Sequence, residues 1–180
     1  MALWMAGMLL FLTAGCQQIQ ERATDYQQLV KDTLAREYSF TAEMRYGDTT
    51  ATGTVKKTGT SDLRVEFTDP EPLKGLVVAS QGDQIRAEYF GMELDLTSFE
   101  IPTQSILNLL REVLAVEHPE GLDVKVEEDT VIASGSIMIA SYEITFQKET
   151  MAIEKVTVPS ADAELLASDF TFLESSTPSK

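Results

Sequence analysis

The strongest constraint on the fold of this 180-residue chain is an alternation of apolar and polar side chains. In the segment Tyr38–Tyr46 every even-numbered residue is apolar and every odd-numbered residue is polar or charged. Because successive side chains of a β-strand point to opposite faces, this pattern predicts a strand with one buried face and one wet face. The same period recurs, less regularly, along much of the chain. It predicts about ten antiparallel strands.

Turn signals divide the alternating segments into short strands. Gly47-Asp48 and Gly82-Asp83 are the clearest of these signals, because Gly and Asp tolerate the positive φ angles of tight hairpins. Besides 38–46, the predicted strands cover 49–57, 61–68, 73–80, 85–89, 92–96, 122–126, 131–133, 137–146 and 151–158, with a last short strand that holds Phe170 and Phe172.

Two segments have a helical period instead. A first helix is predicted from Asp25 to about Glu37, and a central one from Pro102 to about Glu117, where a Pro/Gly turn follows. The central helix has two apolar stripes, although a helix that covers a sheet needs only one. One stripe holds Ile106, Leu109, Leu110 and Val113, and the other holds Leu107 and Leu114.

The number of strands limits how the sheet can be covered. Ten strands at about 4.8 Å spacing make a sheet roughly 50 Å wide. Two helices, each about 10 Å across, cannot cover that width if the sheet is flat. We therefore expect an α+β fold in which a curled antiparallel sheet, an incomplete β-barrel, has the N-terminal helix and the inserted central helix on its concave face. Tight packing and an apolar cavity under the helices both remain open.

The N-terminal segment predicts export and a lipid anchor. Residues 2–15 carry no charged side chain, and their apolar core is too short to span a bilayer, which takes about 20 residues. Small residues precede Cys16, as in a signal-peptide cleavage site, and the segment resembles the lipobox of bacterial lipoproteins. We predict a lipoprotein signal peptide at 1–15, a lipidated Cys16, a polar tether at 16–24, one domain at 25–174 and a disordered tail at 175–180.

The charge of the chain excludes one class of partner. Its formal net charge is -15, and all of its charged side chains follow Cys16. Nucleic acid and anionic lipid headgroups repel such a protein, so we expect no nucleic-acid partner. Attachment to the membrane then depends on acyl chains at Cys16, since each buried methylene contributes about 0.8 kcal/mol. A single cysteine permits no internal disulfide, so the core alone must stabilise the fold.

Residues suited to catalysis are scarce. His118 is the only histidine, and the predicted turn in which it lies has no partner for a catalytic triad or a zinc site. The acidic run Glu127–Asp129 lacks the spaced oxygen ligands of a calcium loop and is typical of a solvated turn. No glycine-rich phosphate loop is present in the sequence. We therefore predict no enzymatic activity, no metal and no cofactor.

Several short segments resemble the LolA/LolB-type lipoprotein carriers and their Gram-positive relatives, which include clostridial germination lipoproteins. They are Phe40-Thr41-Ala42, Gly53-Thr54-Val55, Val65–Pro70, Ser80–Asp83 and Ser168–Phe172. The resemblance implies an incomplete barrel in which helices cover an apolar cavity that holds acyl chains. In the germination lipoproteins, the same fold instead binds and activates a peptidoglycan amidase.

Two functions follow from these expectations. The leading one is an extracytoplasmic, membrane-anchored lipoprotein that binds a lipid or lipoprotein acyl chain in an apolar cavity. The residues expected to bind it are Ile106, Leu107, Leu110, Val113 and Leu114. The alternative is a protein-interaction module that regulates an envelope or peptidoglycan enzyme. A large open cavity favours the first function, and a packed interior favours the second.

The anchor prediction is tested at Cys16. Cys16→Ser removes the thiol that accepts the lipid, so the variant should remain an uncleaved precursor and incorporate no labelled fatty acid. The measurement is metabolic labelling followed by mass determination, with the wild-type chain as the positive control. Failure of the wild-type chain to incorporate label would show that the lipobox interpretation is wrong.

Overall fold

The computed structural model describes residues 14–59, 61–81, 84–94, 110–114, 121–137 and 140–174. Helix α1 spans Ala14–Ala35, residues 110–114 are helical, and a 3-10 turn spans Pro159–Ala161. The strands are β1 Tyr38–Tyr46, β2 Thr49–Thr58, β3 Asp62–Asp69, β4 Leu76–Gln81, β5 Gln84–Tyr89, β6 Met92–Leu94, β7 Asp123–Val126, β8 Thr130–Ile137, β9 Ala140–Gln147, β10 Ile153–Val158 and β11 Ala163–Phe172.

All eleven strands form one antiparallel sheet in the order β6-β5-β4-β3-β2-β1-β11-β10-β9-β8-β7. The sheet is curled but not closed, and β6 and β7 are its two edges. This arrangement confirms the predicted α+β class and incomplete barrel, with eleven strands instead of about ten. Within the described residues, α1 lies at the N-terminus and the helical residues 110–114 lie in the predicted central insertion.

Strand β1 shows how the alternation creates the core. Its inward residues Tyr38, Phe40, Ala42 and Met44 are all buried, and its outward charged residues are exposed. Burial of a large apolar side chain stabilises the fold by about 1.5–3 kcal/mol. The inward faces of the other strands extend the same core on both sides of β1.

The predicted strand 137–146 is wrong at its beginning. Ile137 ends β8, and β9 begins only at Ala140, after residues that are not described. Gly135 pairs with Tyr142, and a Cβ atom at Gly135 would lie 2.5 Å from the tyrosine ring. The glycine therefore makes room for an aromatic ring within a strand, although its sequence context is typical of a turn.

The predicted short last strand is also wrong in extent, because β11 has ten residues and pairs with both β1 and β10. A β-bulge interrupts it where Asp169 adopts a positive φ of 53°. The extra residue reverses the alternation, so that Leu165 is buried on one side of the bulge and Phe170 packs inward on the other. The Phe170 ring then lies 5.4 Å from the Tyr38 ring and 6.1 Å from the Phe40 ring.

Helix α1 begins before the predicted start, and the predicted tether at 16–24 is helical. Its residues Val30, Thr33 and Leu34 are buried, and the Gln27 side-chain amide donates a hydrogen bond to the Leu122 carbonyl at 2.9 Å. No helix among the described residues is both long and apolar enough to cross a membrane.

Other predictions concern residues that the structure does not describe. These are the apolar core of the signal peptide, the Gly82-Asp83 turn, His118, the disordered tail at 175–180 and most of the central helix, including Ile106 and Leu107.

A buried lysine lies where α1 meets the sheet. Lys57 on β2 is fully buried, and its ammonium group donates to the carbonyls of Gly59 at 2.9 Å and Arg36 at 3.3 Å. Carbonyls at the end of a helix lack intrahelical donors, so the lysine satisfies one that α1 leaves open. Burial lowers the pKa of Lys57, and the nearby Glu37 carboxylate partly offsets that effect.

The lowered pKa of Lys57 makes stability depend on pH. Between that pKa and the value of about 10.4 for an unfolded lysine, the unfolded chain binds more protons than the folded one, so this contribution to stability rises with pH. The substitution Lys57→Met removes this pH-dependent contribution to stability. We expect wild type to gain stability relative to Lys57→Met between pH 7 and pH 10, as measured by urea midpoints.

Lys56→Met is the matched control, because Lys56 is exposed on the opposite face of the same strand. Its stability difference from wild type should stay constant over the same pH range. Parallel pH profiles for wild type and Lys57→Met would contradict the buried-charge interpretation.

Candidate functional site

The predicted ligand-binding residues that the structure describes lie in the interior. Leu110 is 4% exposed, and Val113 and Leu114 are completely buried. Ile106 and Leu107 fall outside the described residues. The structure thus places the last part of the predicted binding set among the core residues, and the role of the full set stays a prediction.

A small apolar cavity lies beside this helical segment. Its volume is about 20 Å³, enough for about one water molecule. Helical residues and strands β1, β10 and β11 line it, namely Leu110, Val113, Met44, Arg45, Val156, Val158, Ala163, Glu164 and Leu165. Pockets for small-molecule ligands usually measure about 300–1,000 Å³. Between the described helical turn and these strands, the protein's own side chains therefore fill the space.

A buried hydrogen bond fixes the inserted segment to β1. The Tyr38 hydroxyl donates to the Leu114 carbonyl at 3.0 Å. Burial raises the pKa of Tyr38, so the phenol stays protonated and remains a donor. The tyrosine ring also packs with Phe40 and Phe170, which restricts where the hydroxyl can point. The segment around Leu114 therefore has a specific attachment to the first strand.

The described part of the chain includes two open surface grooves of about 660 Å³ each, outside the core. The first is near the end of α1, where the Arg36 guanidinium lies 3.5 Å from the centre of the Phe172 ring. The second is acidic and is lined by Tyr26, Glu128, Asp129, Thr130, Gln147, Lys148, Glu149 and Glu154. In the part of the chain that the structure describes, no group of three or more His, Cys, Asp or Glu side chains could hold a metal ion.

The β5–β6 hairpin presents a feature that sequence reasoning missed. Phe90 is 73% exposed and Met92 is 62% exposed, although both are large apolar side chains. The alternation assigned Met92 to the apolar face of a strand, and it gave Phe90 no role. A possible signal was the aromatic residue directly before Gly91, at a position where a hairpin turn normally has Asn or Asp.

The sequence matches no protein-family model and no curated protein. Among solved structures, the chain is similar to an uncharacterised conserved protein from Thermus thermophilus, with 15% identity, a TM-score of 0.52, and coverage of 85% of this chain and 88% of that one. It is also similar to the LolA superfamily protein NE2245 from Nitrosomonas europaea, with 10% identity, a TM-score of 0.43, and coverage of 84% and 94%. A third similar structure is the complex of the CwlD amidase with the GerS lipoprotein from Clostridioides difficile, with 20% identity, a TM-score of 0.37, and coverage of 86% and 92%.

At these identities the similarities concern the fold alone. The observed architecture has an N-terminal helix, one curled antiparallel sheet and an inserted helical segment that packs on it. This is the architecture that the resemblance to the lipoprotein carriers implies. The chain therefore shares its fold with the protein from Thermus thermophilus.

Proposed function

We propose that this chain is a lipoprotein of the cell envelope, anchored through Cys16 on the extracytoplasmic face of the membrane, that binds a protein partner. The partner class that we propose is an envelope or peptidoglycan enzyme that the binding regulates. The observation that supports binding at the surface is the filled space beside Leu110, Val113 and Leu114.

The energetics of acyl-chain binding support the same choice. To admit an acyl chain beside β1, the segment 110–114 must leave the sheet and expose three apolar side chains. Until an acyl chain covers these side chains, their exposure and the loss of the Tyr38–Leu114 hydrogen bond together cost on the order of 5–10 kcal/mol. An acyl chain taken from a bilayer gains almost nothing in return, because it leaves one apolar surrounding for another.

The surface charge favours a basic protein partner. The domain and its flanking segments carry the formal net charge of -15. This negative charge attracts positively charged proteins at long range. Such a field raises the rate at which oppositely charged proteins meet and repels acidic ones. Anchoring at Cys16 would restrict this search to the membrane surface.

A second candidate function remains acyl-chain binding, and one observation favours it. The small cavity is apolar, and Leu110 and Val113 from the predicted ligand-binding set line it directly. If the helical residues 110–114 move away from the strands, the cavity would enlarge at this point.

The two candidates differ in what happens when the core leucines are truncated. With a filled interior, Leu110→Ala and Leu114→Ala should each destabilise the Cys16→Ser protein by about 2–5 kcal/mol. Neither variant nor the parent should show saturable uptake of a fluorescent fatty acid. The measurements are denaturant unfolding and a fluorescence titration on the same samples.

Leu29→Ala is the control, because Leu29 is 43% exposed on α1 and its truncation should change stability by about 0.5 kcal/mol or less. Native mass spectrometry of the wild-type chain, extracted gently from its host, should show a stoichiometric protein partner and no retained lipid. Saturable fatty-acid uptake, or a stoichiometric lipid in that spectrum, would favour the acyl-chain function instead.

A further inference from the structure

The tip of the β5–β6 hairpin combines exposed apolar side chains with an unusual backbone. Tyr89 pairs with Met92, so two residues make the turn. Both have positive φ, 48° at Phe90 and 78° at Gly91, which is the signature of a type I′ turn. This conformation is ordinary for glycine and rare for a bulky residue such as Phe90. We call residues Phe90–Met92 the hairpin tip.

The Phe90 ring is held in place although most of its surface is exposed. It lies edge-on to the Tyr89 ring with 4.5 Å between centroids. On another side it covers Gly75, where an added Cβ atom would lie 3.2 Å from the Phe90 Cε1 atom. An exposed aromatic ring with fixed neighbours loses little freedom when it binds, as the anchor residues of protein interfaces do.

The strands that support the hairpin tip carry like charges. Glu88 and Glu93 pair directly across β5 and β6, and both are exposed. Facing carboxylates destabilise a strand pair. Among the described residues, Lys74 pairs with Glu71 at 3.5 Å and Arg86 hydrogen-bonds to Gln84 at 3.3 Å. The hairpin therefore has three locally unfavourable features: exposed apolar side chains, a positive φ at Phe90, and facing carboxylates. Such a combination is typical of a binding site and not of a stabilising turn.

The acidic border decides which partner fits. An anionic bilayer surface repels Glu88 and Glu93, so the charge disfavours insertion of the tip into such a membrane. A symmetric contact with a second copy would bring the same carboxylates together. A protein pocket that is apolar inside and basic at its rim complements both the exposed Phe90 and Met92 and the two glutamates.

We infer that the hairpin tip is a docking site for a protein partner that has an apolar pocket with basic residues around it. The Phe90 ring enters the pocket, and Glu88 and Glu93 face the basic rim. This inference rests on the proposed protein-binding function and assigns that function to one surface.

The sharpest test is Phe90→Asn. Asn-Gly is the preferred sequence for a type I′ turn, so the variant should fold with a denaturant midpoint equal to or above that of wild type. We expect recovery of the native partner complex from the host, measured by native mass spectrometry, to fall at least tenfold. A Glu88→Gln, Glu93→Gln double variant should lower recovery several-fold at low salt and have no effect at 1 M salt.

Leu166→Thr is the matched control, because it removes another exposed apolar side chain from strand β11 and should leave recovery unchanged. Full recovery with Phe90→Asn would overturn the docking site and leave the proposed function intact. Absence of any protein complex with wild type would refute both.

Two further measurements test whether the hairpin tip binds a membrane or a second copy of the chain. The purified Cys16→Ser chain keeps its uncleaved apolar segment, so its flotation with phosphatidylcholine or phosphatidylcholine–phosphatidylglycerol vesicles and its sedimentation should each be the same with and without Phe90→Asn. Flotation that Phe90→Asn abolishes would replace the protein partner with a membrane. A dimer that the same variant dissociates would replace it with a second copy.

Discussion

Strand β1 pairs with β11 along its length, from Tyr38 opposite Phe172 to Tyr46 opposite Ala163, and this pairing joins the two halves of the sheet. On one side of it lie the strands up to β6, and on the other those up to β7. The aromatic contact between Tyr38 and Phe170 requires it, because the two rings come from these two strands. The concave face exists as one surface because these two strands are neighbours.

The sequence patterns predicted the fold class well, because alternation is a local property and most strands have one wet face. They failed where a distant residue decides the local structure. The sequence context of Gly135 is typical of a turn, and only the Tyr142 ring beside it explains a glycine within a strand. The β-bulge at Asp169 switches which residues of β11 face inward, so the sequence shows two short alternating fragments instead of one strand. The strands with which these two segments pair determine their structure, and the intrinsic propensities of their residues do not.

The candidate site was predicted less completely than the fold. Helical spacing identified Leu110, Val113 and Leu114, which are buried. Periodicity cannot distinguish a helix that packs tightly in the core from a helix that covers a cavity. Lys57 is in phase with the inward residues of β2, although lysine is ordinarily assigned to solvent. The carbonyls of Gly59 and Arg36, which accept hydrogen bonds from its ammonium group, explain its position. The exposed Phe90 depends on a turn conformation that its residue type disfavours, and residue-based rules therefore overlook it.

The position of β1 in the middle of the sheet also has a consequence for biosynthesis. Its partner β11 is synthesised after the other ten described strands, so β1 keeps a row of unpaired N–H and C=O groups until the chain has been made as far as β11. Long-range pairing of this kind slows folding and prolongs exposure to aggregation. A premature stop before Ala163 would leave an open sheet edge at the centre of the domain, and the truncated product would be prone to aggregate and to be degraded.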